Sequence, residues 1–192
     1  PFLLDMPPCL IFGADETTLQ PKCNNKILVP NQNQTPIVPN DIELPHITAM
    51  CCSNVSGGKL PLFNILPALK KLPKELQSFS NSKAFFSSSP NSWQTRDTFL
   101  WFSIIFINWL SQYRLKLTKD IKDHRALLIM DGQKSRENPL AVKILKDYNT
   151  DVFVLPTYTS HVTQMFDVGV AANIKSCFSE EFKKLLKFFP HN

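Results

Sequence analysis

Three aspartates stand at positions from which their carboxylates could meet. Asp15 follows the apolar run at residues 8–14, Asp131 follows the run at 127–130, and Asp167 lies at the predicted start of the last helix. Carboxylates brought together repel one another, and burying them is costly unless a cation neutralises them. Oxygen ligands suit Mg²⁺ or Mn²⁺, and two such ions about 3.5–4 Å apart can activate an attacking oxygen and stabilise a leaving one in phosphoryl transfer. The positions indicate a nuclease-like site, although an aspartate after a strand is also a common turn former or helix cap.

The order of the predicted elements decides whether these carboxylates can meet. Short apolar and β-branched runs predict early strands at residues 8–14, 25–30, 46–55 and 59–66, the last two joined by a Ser-Gly-Gly turn. Later elements are predicted as a helix capped by Thr95, a strand at 125–131, a helix starting at Asn138 and Pro139, a strand at 151–156 and a helix from about 168 to 189. This order predicts an α/β fold, a mixed sheet with helices on both faces. The carboxyl ends of its parallel strands would share one crevice.

Two helices carry apolar residues at helical spacing. In the helix after Pro139 the predicted shared face consists of Leu140, Ile144, Leu145 and Tyr148, and Asn149 ends the helix. In the last helix the apolar stripe consists of Ile174, Phe178, Phe182, Leu185 and Phe189. Asp167 lies seven residues before this stripe begins, so its carboxylate is predicted to point towards the sheet. Residues 67–91, rich in Pro, Ser, Asn and Lys with a strand-like stretch at 83–86, are predicted to form an irregular connection or insertion.

Composition places the chain among globular proteins. Its 192 residues suit one domain, and 43% hydrophobic with 19% charged residues excludes the disordered class. A net charge of +5 would tolerate a polyanionic partner. The five cysteines lack zinc-finger spacing and are interpreted as reduced thiols. The longest apolar run, residues 100–110, is shorter than the ~20 residues of a membrane span. The chain starts at Pro1 without a signal-peptide pattern, so no signal peptide is expected, and a fragment of a longer protein is predicted.

The wording around the three acids is more specific than their spacing. The stretches "ADETTLQPK" at 14–22, "LLIMDGQKS" at 127–135 and "LPTYTSHVTQMFDVGV" at 155–170 resemble, in order, the acidic blocks of the DDE superfamily endonuclease domain. They are similar to the pogo/Tigger-type branch of DNA transposases, whose fold is RNase H-like. The hairpin region at 46–66 and "SWQTRDTFLWF" at 92–102 also resemble this family, and the separation of 36 residues between Asp131 and Asp167 falls in its range.

The resemblance implies a function for each acid. Asp15, Asp131 and Asp167 would be catalytic and would hold two Mg²⁺ or Mn²⁺ ions, which let water and later a DNA 3′-hydroxyl attack a phosphodiester. The family further implies DNA as partner, a homodimer on paired DNA ends, a nuclear location, and helix-turn-helix modules in a longer parent protein. No membrane and no small-molecule cofactor are expected.

The sequence also departs from the family. Gln133 and Arg136 stand where the second block usually has histidines, and Thr18 replaces a usual glycine in the first block. These changes touch the site without removing a predicted ligand. A domesticated or decayed descendant that binds DNA without catalysis therefore stays open, as does an RNase H-like nuclease that acts on another nucleic acid and joins no ends.

Three further residues are candidates for supporting roles. Glu16 follows Asp15 directly, so on a strand its side chain would face the other way, and a supporting or structural role is favoured over a ligand role. His161 matches a family histidine ahead of the third acid and could contact DNA or orient the site, although a loop histidine held by backbone is nearly as plausible. Gln133 is close enough to Asp131 in sequence for either role.

Overall fold

The computed structural model describes residues 5–20, 45–69, 73–74, 76, 84–155 and 171–188. Its strands are β1 (Ile11–Leu19), β2 (Ile47–Asn54), β3 (Leu62–Pro67), β4 (Ala84–Ser89), β5 (Ala126–Met130) and β6 (Thr150–Val154). Its helices are α1 (Arg96–Arg114), α2 (Lys119–Lys122), α3 (Pro139–Asp147) and α4 (Ala171–Phe188), and short 3-10 turns cover Pro8–Leu10 and Lys134–Arg136.

The six strands form one mixed sheet in the order β4-β3-β2-β1-β5-β6. β1 and β2 are antiparallel, as are β2 and β3, which form the predicted hairpin. β5 runs parallel to both β1 and β6, and β4 runs parallel to β3. The predicted mixed α/β sheet is confirmed. The strand predicted at residues 25–30 lies outside the described residues.

β1 has partners of unequal length on its two sides. Its pairing with β2 extends to Leu19↔Ile47, whereas its pairing with β5 ends at Gly13↔Ile129. The prediction that the first strand ends before Asp15 is therefore wrong, because Asp15 lies within β1 opposite Cys51. The apolar run stops at Ala14, but the hydrogen bonds to β2 carry the strand on through polar residues. Asp15 thus lies where β1 continues past the end of β5.

The helix α1 covers one face of the sheet with an aromatic stripe. As predicted, Thr95 is its N-cap, and Thr95 and Thr98 form a reciprocal capping box. Phe99, Phe102 and Phe106 are fully or almost fully buried. The ring of Phe106 packs edge-on against Phe12 of β1, with 5.2 Å between ring centroids and an interplanar angle of 88°. These contacts fix α1 across the central strands.

The helix α3 packs beside α1 on the same core, but through a different stripe from the one predicted. Asn138 caps it as predicted, since its Oδ1 accepts from the backbone N–H groups of Leu140 and Ala141. Leu145 and Ala141 are completely buried, whereas Leu140 is 51% and Tyr148 54% exposed. Periodicity alone left the direction of the stripe open by one position, and the packing against α1 and β6 selects the Ala141–Leu145 pair. The predicted face was therefore wrong at Leu140 and Tyr148.

The second face of the central strands is covered as well. Three strand residues that are not part of the main hydrophobic core are nevertheless at most 5% exposed: Ala49, Cys51 and Leu127. The helix α4 contacts β1, and its Ile174, Phe178 and Phe182 are half-buried at the predicted spacing. A polar group placed on this face at β1 is therefore shielded from water.

The remaining predictions are settled in part. Of the strand-like residues 83–86, residues 84–86 belong to β4, and residue 83 lies outside the described residues. Most of residues 67–83 also lies outside them, so the irregular connection stays a prediction. Within the described chain Cys9, Cys51, Cys52 and Cys177 have free thiols. A helix long and apolar enough to cross a bilayer does not occur in the described ranges.

The two leucines of α3 give a matched test of the packing. Leu145→Ala should lower the free energy of unfolding by about 2–5 kcal/mol, because it leaves a cavity in a completely buried position. Leu140→Ala, on the same helix but half-exposed, should change it by at most about 0.5 kcal/mol. Urea unfolding of both variants measures the difference, and equal losses would contradict this orientation of α3.

Candidate active site

The side chain of Arg136 lies at the centre of the acidic residues. After β5 the chain passes Asp131 and then forms the 3-10 turn Lys134–Arg136, in which the Arg136 N–H donates to the Gln133 carbonyl at 3.0 Å. This turn directs Arg136 back towards the sheet, where its Nη1 donates to the Asp131 carbonyl at 3.3 Å. Its side chain is only 3% exposed. A guanidinium keeps its charge in proteins, so burial at this level requires anionic partners.

Three carboxylates from two separate parts of the chain provide those partners. Nη1 of Arg136 forms an ion pair with Asp131 Oδ1. Nη2 lies 3.2 Å from Glu16 Oε1 and 3.6 Å from Asp15 Oδ1. Asp15 and Asp131, predicted to meet although 116 positions apart in sequence (131 − 15), therefore contact the same guanidinium.

Glu16 contacts the same nitrogen as Asp15, although neighbouring strand residues point to opposite faces. Both residues lie beyond the end of the pairing of β1 with β5 at Gly13↔Ile129, and Arg136 reaches them from the turn after β5. Burial raises the pKa of the Glu16 carboxyl, and Arg136 lowers it again in part. Glu16 therefore lies at the site, and its contact with Arg136 agrees with a supporting role.

The site carries more negative than positive charge. One guanidinium faces three carboxylates, whose side chains are only 8–20% exposed. A neighbouring thiol is affected: burial, and after it the negative charge of Asp15, raises the pKa of Cys51 to about 12. A buried site of this kind attracts a further cation.

The donor atoms present fit a hard divalent cation in type. Asp15 and Asp131 offer carboxylate oxygens to one shared position, and oxygen donors are what Mg²⁺ and Mn²⁺ prefer. In the ranges that the structure describes, no cluster of three or more His, Cys, Asp or Glu residues is arranged to hold a metal. The third predicted ligand, Asp167, and the candidate His161 lie outside those ranges. The assignment of all three aspartates to one metal site thus stays a prediction.

Gln133 and Arg136, the two residues of the second block that depart from the family pattern, differ in burial. The side chain of Gln133 is exposed, and its backbone carbonyl supports the turn that carries Arg136. A contact of Gln133 with DNA stays a prediction. From the sequence Arg136 is recognisable only as a departure from the family pattern, because nothing near it in the chain shows that it is buried.

The sheet order and the acids gathered where β1 passes the end of β5 define an α/β domain with the RNase H-like fold. The chain belongs to the DDE superfamily endonuclease family, whose model matches residues 45–187. The predicted resemblance to the pogo/Tigger-type branch is confirmed.

Two curated relatives share part of this chain. A mouse protein named "Pogo transposable element with KRAB domain" is 26% identical over 161 residues, which are 82% of this chain and 24% of that protein. A protein of Cochliobolus lunatus named "MFS-type transporter clz9" is 26% identical over 98 residues, 51% of this chain and 10% of that protein. The chain thus spans a quarter or less of the length of these relatives, and their other segments have no counterpart in the matched region.

Solved structures of the Mos1 transposase have the same fold. The "Mos1 mariner paired end complex with Mn" matches with a TM-score of 0.58 at 14% identity, covering 98% of this chain and 50% of that chain. The "pre-cleavage Mos1 transpososome" also gives a TM-score of 0.58, covering 94% of this chain and 48% of that chain. At 14% sequence identity this structural similarity shows a shared fold alone.

The burial of Arg136 predicts a large loss of stability when its charge is removed. Arg136→Gln should lower the free energy of unfolding by about 3–5 kcal/mol, because the carboxylates around it lose their buried counter-ion. Arg125→Gln removes the same charge from an exposed pair with Asp151 and should cost at most about 1 kcal/mol. Urea unfolding in the presence of a chelator compares the two. Equal effects would show that Arg136 is not buried among these acids.

Proposed function

We propose that this chain is the catalytic domain of a DNA transposase, which cuts DNA and joins the ends by divalent-metal-dependent phosphoryl transfer. The observation that supports this most directly is the approach of Asp15 and Asp131 to one cation position. Membership of the DDE superfamily endonuclease family and the shared fold with Mos1 agree with it.

In this proposal each aspartate has a defined task. Asp15, Asp131 and Asp167 would hold two Mg²⁺ or Mn²⁺ ions, which when bound supply activation of the attacking oxygen and stabilisation of the leaving oxygen. β1 fixes Asp15, and the end of β5 fixes Asp131, so the fold sets the distance between them before a substrate arrives. Such preorganisation on rigid strands limits the reorganisation needed during the reaction.

The partners follow from the same proposal. DNA is the proposed substrate, bound through its phosphates by a chain with a net charge of +5. The matched Mos1 structures are a pre-cleavage transpososome and a paired-end complex with Mn. By analogy we propose a homodimer on paired DNA ends, a nuclear location, and sequence-specific DNA-binding modules in the parent protein.

A second candidate function has a specific observation in its favour. Arg136 already neutralises the oxygens that a metal ion would use. A domesticated descendant that binds DNA without cleaving it would retain the fold and this ion pair. The two functions differ in metal-dependent cleavage, and an RNase H-like nuclease would differ from both by cleaving without joining ends.

Nicking of supercoiled plasmid tests the first function. Purified wild-type protein with Mn²⁺ should nick the plasmid, and Asp131→Asn or Asp167→Asn should lower the rate by at least about 100-fold, because each removes a proposed metal ligand with little change of shape. Asp147→Asn, at an exposed carboxylate on α3, is the matched control and should retain the wild-type rate.

Joining of a labelled 3′-hydroxyl end to the plasmid in the same assay would identify a transposase, and nicking without joining an ordinary nuclease. Nicking that persists in Asp131→Asn would contradict the proposed site. Absence of nicking together with absence of Mn²⁺ binding would favour the non-catalytic descendant.

A further inference from the structure

We propose that Arg136 competes with the divalent ions for the carboxylates of the site, so that a seated guanidinium and a bound metal ion are alternative states. This inference rests on the proposed function, because it concerns the same oxygens. It adds a regulatory residue that holds the site closed to metal until its side chain moves away.

The contacts support mutual exclusion. Arg136 contacts one oxygen of Asp131 and lies 3.6 Å from one oxygen of Asp15. A divalent ion of the Mg²⁺ type binds carboxylate oxygen at about 2.0–2.1 Å and requires near-octahedral space around it. An ion bridging these two aspartates would therefore lie in the volume of the guanidinium nitrogens. The ion and the guanidinium would also be two positive charges close together in a buried site, where they repel strongly.

Glu16 strengthens the hold of Arg136 on the site. Its Oε1 lies 3.2 Å from Nη2, and its side chain is only 8% exposed, so water screens this ion pair little. The guanidinium is thereby tied to β1 as well as to the segment after β5. To enter the site, a metal ion must displace Arg136 from its ion pairs on both β1 and the segment after β5.

Not every donor of the Arg136 guanidinium has a hydrogen-bond partner, which makes it feasible for a metal ion to displace this side chain. Its Nε is buried and makes no hydrogen bond with any residue in the described part of the chain. A buried donor left without a partner costs free energy, so the arginine is held less firmly than a fully satisfied guanidinium. Its long side chain extends from a three-residue 3-10 turn and can leave the site by rotation of its own torsions.

The sequence gives the matched variants. Arg136 stands where the family usually has a histidine, so Arg136→His restores the family residue, and Arg136→Gln replaces the charged guanidinium with a shorter, neutral amide. Arg125→Gln removes the same charge at an exposed ion pair with Asp151, just before the start of β5, and serves as the control. Asp131→Asn reports whether bound metal uses the proposed site.

The test is Mn²⁺ binding, measured from the electron paramagnetic resonance signal of free Mn²⁺ during titration of the full chain without DNA. Arg136→Gln and Arg136→His should bind Mn²⁺ at least about tenfold more tightly than wild type, whereas Arg125→Gln should match wild type. Adding Asp131→Asn to either Arg136 variant should abolish the gain.

Thermal unfolding keeps the inference testable if the variants fold poorly. Because a ligand that binds the folded state raises the Tm, Mn²⁺ should raise the Tm of the Arg136 variants more than that of wild type. Equal Mn²⁺ affinity and equal Tm shifts in wild type and the Arg136 variants would overturn the competition. If, in that case, Asp131→Asn also removed Mn²⁺ binding, the proposed metal site would stand and only the competition with Arg136 would fall. Binding by none of the proteins would overturn both proposals.

Discussion

A single buried guanidinium joins the two halves of the site. Arg136 contacts Asp131 in the segment after β5 and reaches Glu16 and Asp15 on β1. Without a cation at this point the three carboxylates would repel one another in a shielded environment. The positions of the proposed catalytic acids therefore depend on what occupies this one place, whether arginine or metal.

The sheet creates that place through strands of unequal length. β1 continues along β2 to Leu19, but its pairing with the parallel strand β5 ends at Gly13↔Ile129. The missing neighbour opens a notch at the carboxyl end of β5, where ligand sites of α/β sheets commonly lie. On the core side, Phe106 of α1 packs against Phe12 of β1, three positions before Asp15. The chemistry of the site thus depends on an ordinary aromatic core several residues away.

Local signals predicted much of this architecture, and long-range packing decided the rest. The caps at Thr95 and Asn138 could be predicted because they depend on a few adjacent residues. The end of β1 could not, because it is set by hydrogen bonds to β2, whose Ile47 pairs with Leu19 across 28 positions in sequence (47 − 19). The burial of Arg136 was equally hidden, since the sequence shows a charged residue in a polar loop and not the acids it meets. Asp15 and Asp131 were found because strand ends and the family pattern pointed to the same positions.

The interaction between Arg136 and Glu16, 120 residues apart in sequence, offers the most direct test. A double-mutant cycle would measure the free energy of unfolding of wild type, Arg136→Gln, Glu16→Gln and the double variant, in a chelator that removes divalent ions. A contact of this kind predicts that the two changes are not additive, with an interaction energy of about 2–3 kcal/mol. Additivity within about 0.5 kcal/mol would show that the two side chains do not meet, and would contradict the convergence of the acids on one buried cation.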